Sequence, residues 1–128
     1  MRVLLDTHIA LWAVVGSKRL APRARDAILD ADEVFVSTAS IWEIAIKHRL
    51  GRGDMPISSA QALLAFTDAG YALLTIRPEH AVAVEQLAAI HADPFDRMLV
   101  AQALHEPLTL IARDALVASY SAAIMKVG

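Results

Sequence analysis

The sequence predicts an α/β fold built around a central, mostly parallel sheet. Short apolar segments suited to strands alternate with longer segments rich in Ala and Leu that suit helices. This alternation is typical of parallel sheets. The apolar segments are continuous, which indicates strands covered on both faces. Because the chain has 128 residues and is 56% hydrophobic, we expect one domain, spanning residues 1–128.

The predicted elements alternate along the whole chain. The predicted strands are 3–5, 34–36, 71–76, 108–112 and, at an edge of the sheet, 122–127. The predicted helices are 22–31, 38–50, 58–69, 79–91 and 94–105, with further helices starting near His8 and at 115–117. Prolines at 22, 78 and 94 fall where helices begin, as expected for a residue favoured in the first turn.

Composition excludes several classes of protein. The absence of Cys excludes disulfides, thiol catalysis and Cys-based zinc sites, and it fits the reducing cytoplasm where we expect this protein. A formal charge of -2 argues against a generally basic nucleic-acid binder, so any nucleic-acid contact would be local. We expect no membrane segment, because no apolar run approaches the ~18 residues that a spanning helix needs. Asp6 and His8 also interrupt the one run that resembles a secretory signal.

Four acids occupy positions that a parallel sheet would bring together. Asp6 and Asp114 directly follow predicted strands, and Glu43 and Asp96 lie in predicted helices. Ligands of open parallel sheets bind beyond the carboxyl ends of the strands. Two carboxylates about 4 Å apart repel by roughly 4 kcal/mol at an effective dielectric near 20. We therefore predict that the four acids bind Mg²⁺ or Mn²⁺, which hold phosphates and activate water, and that they are the catalytic residues.

Each acid also has a purely structural explanation. Asp6 would be a loop or capping carboxylate, with Thr7 as the N-cap of the helix that follows. Ser40 and Glu43 fit the S-x-x-E capping box, although the apolar neighbours of Glu43 favour a buried acid. Asp114 would cap the short helix after it. Each explanation is plausible alone, but all four holding together is less so.

The segment from Asp93 to Asp96 has the pattern of a helix start. Asp93 fits the N-cap and Pro94 the first helical position, and Asp96 follows in the first turn, where negative charge is favoured. Val100 and Leu104 continue from Asp96 at helical spacing. Asp96 therefore shares an inward-facing stripe, and we predict that it is a ligand.

Basic side chains near the acids have two alternative uses. Residues 47–49 and Arg97 would grip phosphates on either side of the acids, or they would be solvated charges on helix faces. Arg97 or Arg113 would instead pair with the acids and keep the site free of metal. His8 and His91 lie beside acids and would assist, but the histidines show no metal-binding spacing.

Three segments carry a resemblance to a known family. They read LLDTHIALW, SIWEIAIK and DPFDRMLVAQA, and an Asp follows the next strand. Together they resemble the PIN-domain ribonucleases, specifically VapC-type toxins of prokaryotic toxin–antitoxin pairs, over essentially the whole chain. The resemblance implies an α/β/α sandwich and Mg²⁺- or Mn²⁺-dependent endonucleolytic cleavage of RNA. It also implies a homodimer that a cognate antitoxin inhibits.

By position, the family's acids fall on Asp6, Glu43, Asp96 and Asp114, and its hydroxyl after the first acid falls on Thr7. We add Ser40, Asp93 and Arg97 as residues that support the acids or position the substrate. The mechanism that fits is attack of a metal-activated water on the phosphodiester.

Two other functions remain open. A phospho-receiver-like signalling domain would use acids at strand ends and a late lysine, here Lys126. That fold needs adjacent acids after its first strand, whereas Asp6 is followed by Thr7. A catalytically silent PIN scaffold would act only through a partner. Helix 38–50 with Trp42 is the candidate contact surface for a partner, although we expect Trp42 to pack in the core.

Overall fold

The computed structural model describes residues 1–128 and contains five strands and seven helices. The strands are β1 (Arg2–Leu5), β2 (Glu33–Ser37), β3 (Ala72–Leu74), β4 (Thr109–Ala112) and β5 (Met125–Lys126). The helices are α1 (Thr7–Val15), α2 (Pro22–Asp30), α3 (Thr38–Arg49), α4 (Ser59–Asp68), α5 (Pro78–Gln86), α6 (Pro94–His105) and α7 (Ala115–Ala118). None of these helices combines the length and the apolar character that crossing a membrane requires.

The strands form one sheet in the order β3-β2-β1-β4-β5, and every neighbouring pair is parallel. Central β1 is buried on both faces. Val3 and Leu5 pack with residues of α1, α2 and α4, whereas Leu4 packs on the opposite face with residues of α6 and α7. The predicted α/β fold with a parallel sheet between helical layers is therefore confirmed, and burial on both faces explains the continuous apolar run of β1.

Several predicted boundaries are wrong. The helix predicted over 79–91 stops at Gln86, because the backbone at Leu87 is extended. The Arg97 guanidinium binds the carbonyl oxygens of Val84 and Ala88, both at 2.9 Å, and so satisfies groups that a longer helix would have used.

The prediction that Trp42 packs in the core is also wrong, because 60% of its surface is exposed.

The sheet order creates a switch point beside the central strand. The chain leaves β1 outward to β2 and β3 and then returns to place β4 on the other side of β1. In open parallel sheets, ligands bind at this point, beyond the carboxyl ends of the strands. Helices α1, α3 and α7 begin within three residues of the ends of β1, β2 and β4, so their N-termini lie at this edge.

Candidate active site

A polar cavity of about 220 Å³ lies at the switch point. None of its lining residues is hydrophobic. The lining residues are Asp6, Thr7, His8, Glu43, Lys47, Asp93, Asp96, Arg113 and Asp114. This acidic cavity contains the four acids predicted to bind metal, together with Thr7 and Asp93. Its five carboxylates outnumber its two permanent cations, Lys47 and Arg113.

Three of the acids are helix N-caps. Asp6 caps α1, Asp93 caps α6 and Asp114 caps α7. In each, Oδ1 accepts backbone N–H groups of the first turn at 2.7 to 3.0 Å. The prediction that Thr7 caps α1 is therefore wrong, since Asp6 is the cap. Because capping uses only Oδ1, Oδ2 of each acid stays outside the cap, and the structural and ligand roles are compatible.

Glu43 is not part of a capping box. The N-cap of α3 is Ser37, which places Glu43 in the second turn with a side chain only 5% exposed. The Thr7 hydroxyl donates to Glu43 Oε1 at 2.6 Å, and Lys47 Nζ donates to Oε2 at 2.5 Å. Ser40 Oγ lies 2.9 Å from Thr7 Oγ1 and continues this network. Both carboxylate oxygens are therefore held in fixed positions.

Asp96 faces uncompensated negative charge. Burial raises its pKa to about 7, with further contributions from the charges of Asp93, Asp6 and Glu43, and His91 opposes the rise. Burial also raises the pKa of Asp6. A cation bound among these carboxylates would offset both the cost of burying their charge and the repulsion between them. The donor set fits Mg²⁺ or Mn²⁺, because these ions prefer carboxylate oxygens.

His91 connects two of the acids. Its Nε2 lies 3.1 Å from Asp114 Oδ2 and 3.3 Å from Asp96 Oδ2. One polar atom from each of the three residues lies within 4.8 Å of the others. Burial alone would raise the pKa of Asp114, but the hydrogen bonds from His91 and from the Leu116 N–H group hold it below its usual value.

Arg97 lies outside the acidic cavity. Besides the carbonyls of Val84 and Ala88, its guanidinium contacts the Tyr120 hydroxyl at 3.0 Å. The structure therefore places Arg97 in the packing of the loop before Asp93, away from the acids that we expected it to pair with or assist. Arg113 does line the cavity.

Comparison with known proteins identifies the family. The family model of the PIN domain matches residues 3–121. The chain belongs to the PIN-domain family. It is 30% identical over 112 residues to Ribonuclease VapC22 of Mycobacterium tuberculosis (strain ATCC 25618 / H37Rv), covering 88% of this chain and 86% of that protein. The predicted resemblance to VapC-type PIN-domain ribonucleases is thus confirmed.

Two solved structures share the fold. One is a toxin–antitoxin complex from Klebsiella pneumoniae, with a TM-score of 0.70 and 16% identity over 97% of this chain and 96% of that chain. The other is DNA-bound VapBC from Salmonella typhimurium, with a TM-score of 0.66 and 15% identity over 98% of this chain and 96% of that chain. At this identity, the similarity establishes the fold of the PIN domain.

The sequence placed Lys47 and His91 near the acids of the PIN domain without predicting the contacts that they make there. Lys47 follows Glu43 by four residues, a spacing typical of ion pairs along a helix, so this contact was predictable. His91 reaches Asp114 through the irregular segment between α5 and α6. No sequence pattern specifies the path of that segment, so the contact was not predictable.

Proposed function

We propose that this PIN domain is a metal-dependent endoribonuclease and the toxin of a VapBC-type toxin–antitoxin pair. The observation that carries the proposal is the acidic cavity, where carboxylates from four separate segments meet beyond β1 and β4. The raised pKa of Asp96 supports it, because the cavity has more negative charge than its own cations neutralise. The similarity to a protein named a ribonuclease supports RNA as the substrate.

In this proposal, Asp6, Glu43, Asp96 and Asp114 hold Mg²⁺ or Mn²⁺. A bound divalent cation would supply positive charge to the phosphate and increase the acidity of water. The chain itself supplies orientation. Thr7 holds Glu43 Oε1 and is in turn contacted by Ser40, while Asp93 fixes the first turn of α6, which carries Asp96.

Two cations of the cavity are suited to contact RNA phosphates. The Lys47 side chain is 28% exposed, and its pKa, which burial would lower, is held above the usual value by Glu43. It therefore keeps its charge. The Arg113 guanidinium lies 4.9 Å from the centre of the Trp12 ring, which orients it. This local positive charge would allow a chain with a formal charge of -2 to bind RNA.

The proposed partners are a cognate antitoxin and a second copy of the chain. The structural neighbours that are toxin–antitoxin complexes support the antitoxin, and the homodimer follows from the family resemblance. An exposed apolar stripe runs along α3 and onto its C-cap residue. It consists of Trp42, Ile46 and Leu50, with exposures of 60%, 37% and 60%. The Trp42 ring meets Phe95 edge-on at 5.1 Å, next to Asp96. An antitoxin bound to the stripe would therefore reach the cavity.

The phospho-receiver alternative has less support. Receiver-type folds have the strand order 2-1-3-4-5, whereas this sheet has the order β3-β2-β1-β4-β5. Lys126 lies in edge strand β5 and does not line the acidic cavity. A silent scaffold is opposed by the complete set of four acids around one cavity.

The deciding experiment is an RNA cleavage assay with purified protein. Single-stranded RNA would be incubated with Mg²⁺, with Mn²⁺ or with a chelator, and fragments would be separated by size. We expect cleavage with metal only, and none by Asp96→Asn. Asp68→Asn is the matched control, since Asp68 is exposed at the end of α4. Equal cleavage by Asp96→Asn, or none by wild type, would reject the proposal, and phosphorylation by a small phosphodonor would favour the receiver.

A further inference from the structure

Both ring nitrogens of His91 have defined partners. Its side chain is only 16% exposed. The backbone N–H of Asp93 points at Nδ1 across 3.0 Å. A backbone N–H is always a donor, so Nδ1 must accept and carries no proton. The single proton of the neutral ring is therefore on Nε2.

The protonated Nε2 of His91 faces two carboxylates from different elements. Asp96 lies in the first turn of α6 and Asp114 is the N-cap of α7, and the Oδ2 atoms of both lie within 3.3 Å of Nε2. Two like charges in these positions repel each other. The Nε2–H donates a hydrogen bond to Asp114 Oδ2. The same polar N–H also lies close to Asp96 Oδ2, at 3.3 Å, and so offsets part of the repulsion between the two carboxylates.

The donor and acceptor roles of the two ring nitrogens of His91 are the reverse of those in a metal-binding histidine. Such a residue binds the ion through an unprotonated nitrogen and donates the other ring N–H to an oxygen. In His91 the nitrogen that faces the acids carries the proton, and the other nitrogen accepts. The grouping of His91 with Asp96 and Asp114 within 4.8 Å is therefore not a three-ligand metal site.

We propose that His91 is a positioning residue that holds Asp96 and Asp114 together through Nε2–H and does not itself bind the metal. This inference rests on the proposed function, because it assigns those two acids to the cation. Nearby contacts hold the backbone of His91 in place. The His91 backbone N–H donates to the Tyr120 hydroxyl at 2.8 Å, and Arg97 contacts the same hydroxyl at 3.0 Å.

The first test is the affinity for Mn²⁺, measured by electron paramagnetic resonance titration of chelator-treated protein. His91→Asn removes the N–H group from the carboxylates, because the shorter side chain does not reach them. We expect its affinity to fall about tenfold, the effect of one hydrogen bond to a charged group. His91→Gln keeps an amide N–H at the distal position and should restore most of the affinity. Asp68→Asn, at an exposed position at the end of α4, should match wild type.

The second test needs no variant. The pulsed electron paramagnetic resonance spectrum of Mn²⁺ bound to wild-type protein should show no coupling to a directly bound imidazole nitrogen. Nitrogen NMR of the metal-free protein should show the Nε2-protonated tautomer of His91. A bound imidazole signal that disappears in His91→Asn, or an unprotonated Nε2, would overturn the proposal.

The outcomes also separate this inference from the proposed function. Unchanged Mn²⁺ affinity in folded His91→Asn would overturn only the positioning role. If that variant does not fold, the wild-type spectra still decide. Failure of wild-type protein to bind Mn²⁺ would overturn the proposed metal site and the role of His91 with it.

Discussion

The Thr7 hydroxyl donates a hydrogen bond to Glu43 Oε1 across 2.6 Å and so joins the first turn of α1 to the second turn of α3. Both residues are 4% exposed. A buried carboxylate is stable only when its oxygens have partners, and Lys47 supplies the partner of the second oxygen. This side of the acidic cavity is therefore organised by the protein itself, whereas Asp96 faces other acids.

Replacing Thr7 by Val should destabilise the metal-free protein by about 1–3 kcal/mol, because the buried carboxylate of Glu43 loses a donor while the side-chain shape is kept. The measurement is the free energy of unfolding from urea titration. Thr67→Val is the matched control, since the Thr67 hydroxyl is exposed and contacts only a carbonyl of its own helix, that of Leu63. An equal loss in both variants would contradict the importance of the Thr7–Glu43 bond.

The stability of the metal-free protein should depend on pH through Asp96. Its pKa is raised from 3.8 to about 7, so the native state holds this proton more tightly than the unfolded chain. The resulting stability is present below about pH 4 and is lost as the pH rises through about 7. Asp96→Asn cannot titrate. The free energy of unfolding of the variant minus that of wild type should therefore increase from about pH 4 to about pH 8.

Asp68→Asn provides the control for this pH series, because Asp68 is exposed and does not line the acidic cavity. Unfolding would be followed in chelator at each pH. A difference for Asp96→Asn that stays constant, or that decreases as the pH rises, would show that Asp96 does not carry the excess charge of the cavity.

Binding of Mn²⁺ or Mg²⁺ should raise the midpoint of thermal unfolding. A ligand at a hundred times its Kd stabilises the native state by about 2.7 kcal/mol, which corresponds to roughly ten degrees for a chain of this size. Asp6→Asn should lose most of this shift, because an amide keeps the shape but not the charge. Asp68→Asn should keep it. An equal shift in all three proteins would place the metal outside the acidic cavity.

The sequence predicted which residues meet more reliably than it predicted how they are held. Asp6 and Asp114 directly follow buried strands, and parallel topology alone brings such positions to one edge. The S-x-x-E pattern at Ser40 was misleading for a physical reason: α3 begins as soon as β2 ends, so Ser37 takes the capping role. The contact between His91 and Asp114 depends on the path of an irregular segment. Tertiary packing sets the path of such a segment, and the periodicity of the sequence does not predict it.

Arg97 is a residue for which the sequence suggested a contact that the structure does not contain. Its position beside Asp96 in the sequence suggested a role at the acids, but adjacent residues on a helix point in different directions. The guanidinium instead binds the carbonyl groups of Val84 and Ala88, at and just beyond the end of α5. Predicting this contact required knowing where α5 ends, and helix ends are the least certain part of a prediction from sequence.

Expression of the chain alone should arrest bacterial growth, and co-expression of the gene beside it should restore growth if that gene encodes the antitoxin. The arrest should require RNA cleavage, so Asp6→Asn should permit growth at equal protein levels while Asp68→Asn should not. Leu50→Glu places a charge at the exposed end of the α3 stripe, at a residue that does not line the cavity. It should keep the arrest and weaken the rescue, because a charge there opposes burial under an apolar partner. Arrest that persists in Asp6→Asn would mean that cleavage is not its cause, and full rescue of Leu50→Glu would place the antitoxin on another surface.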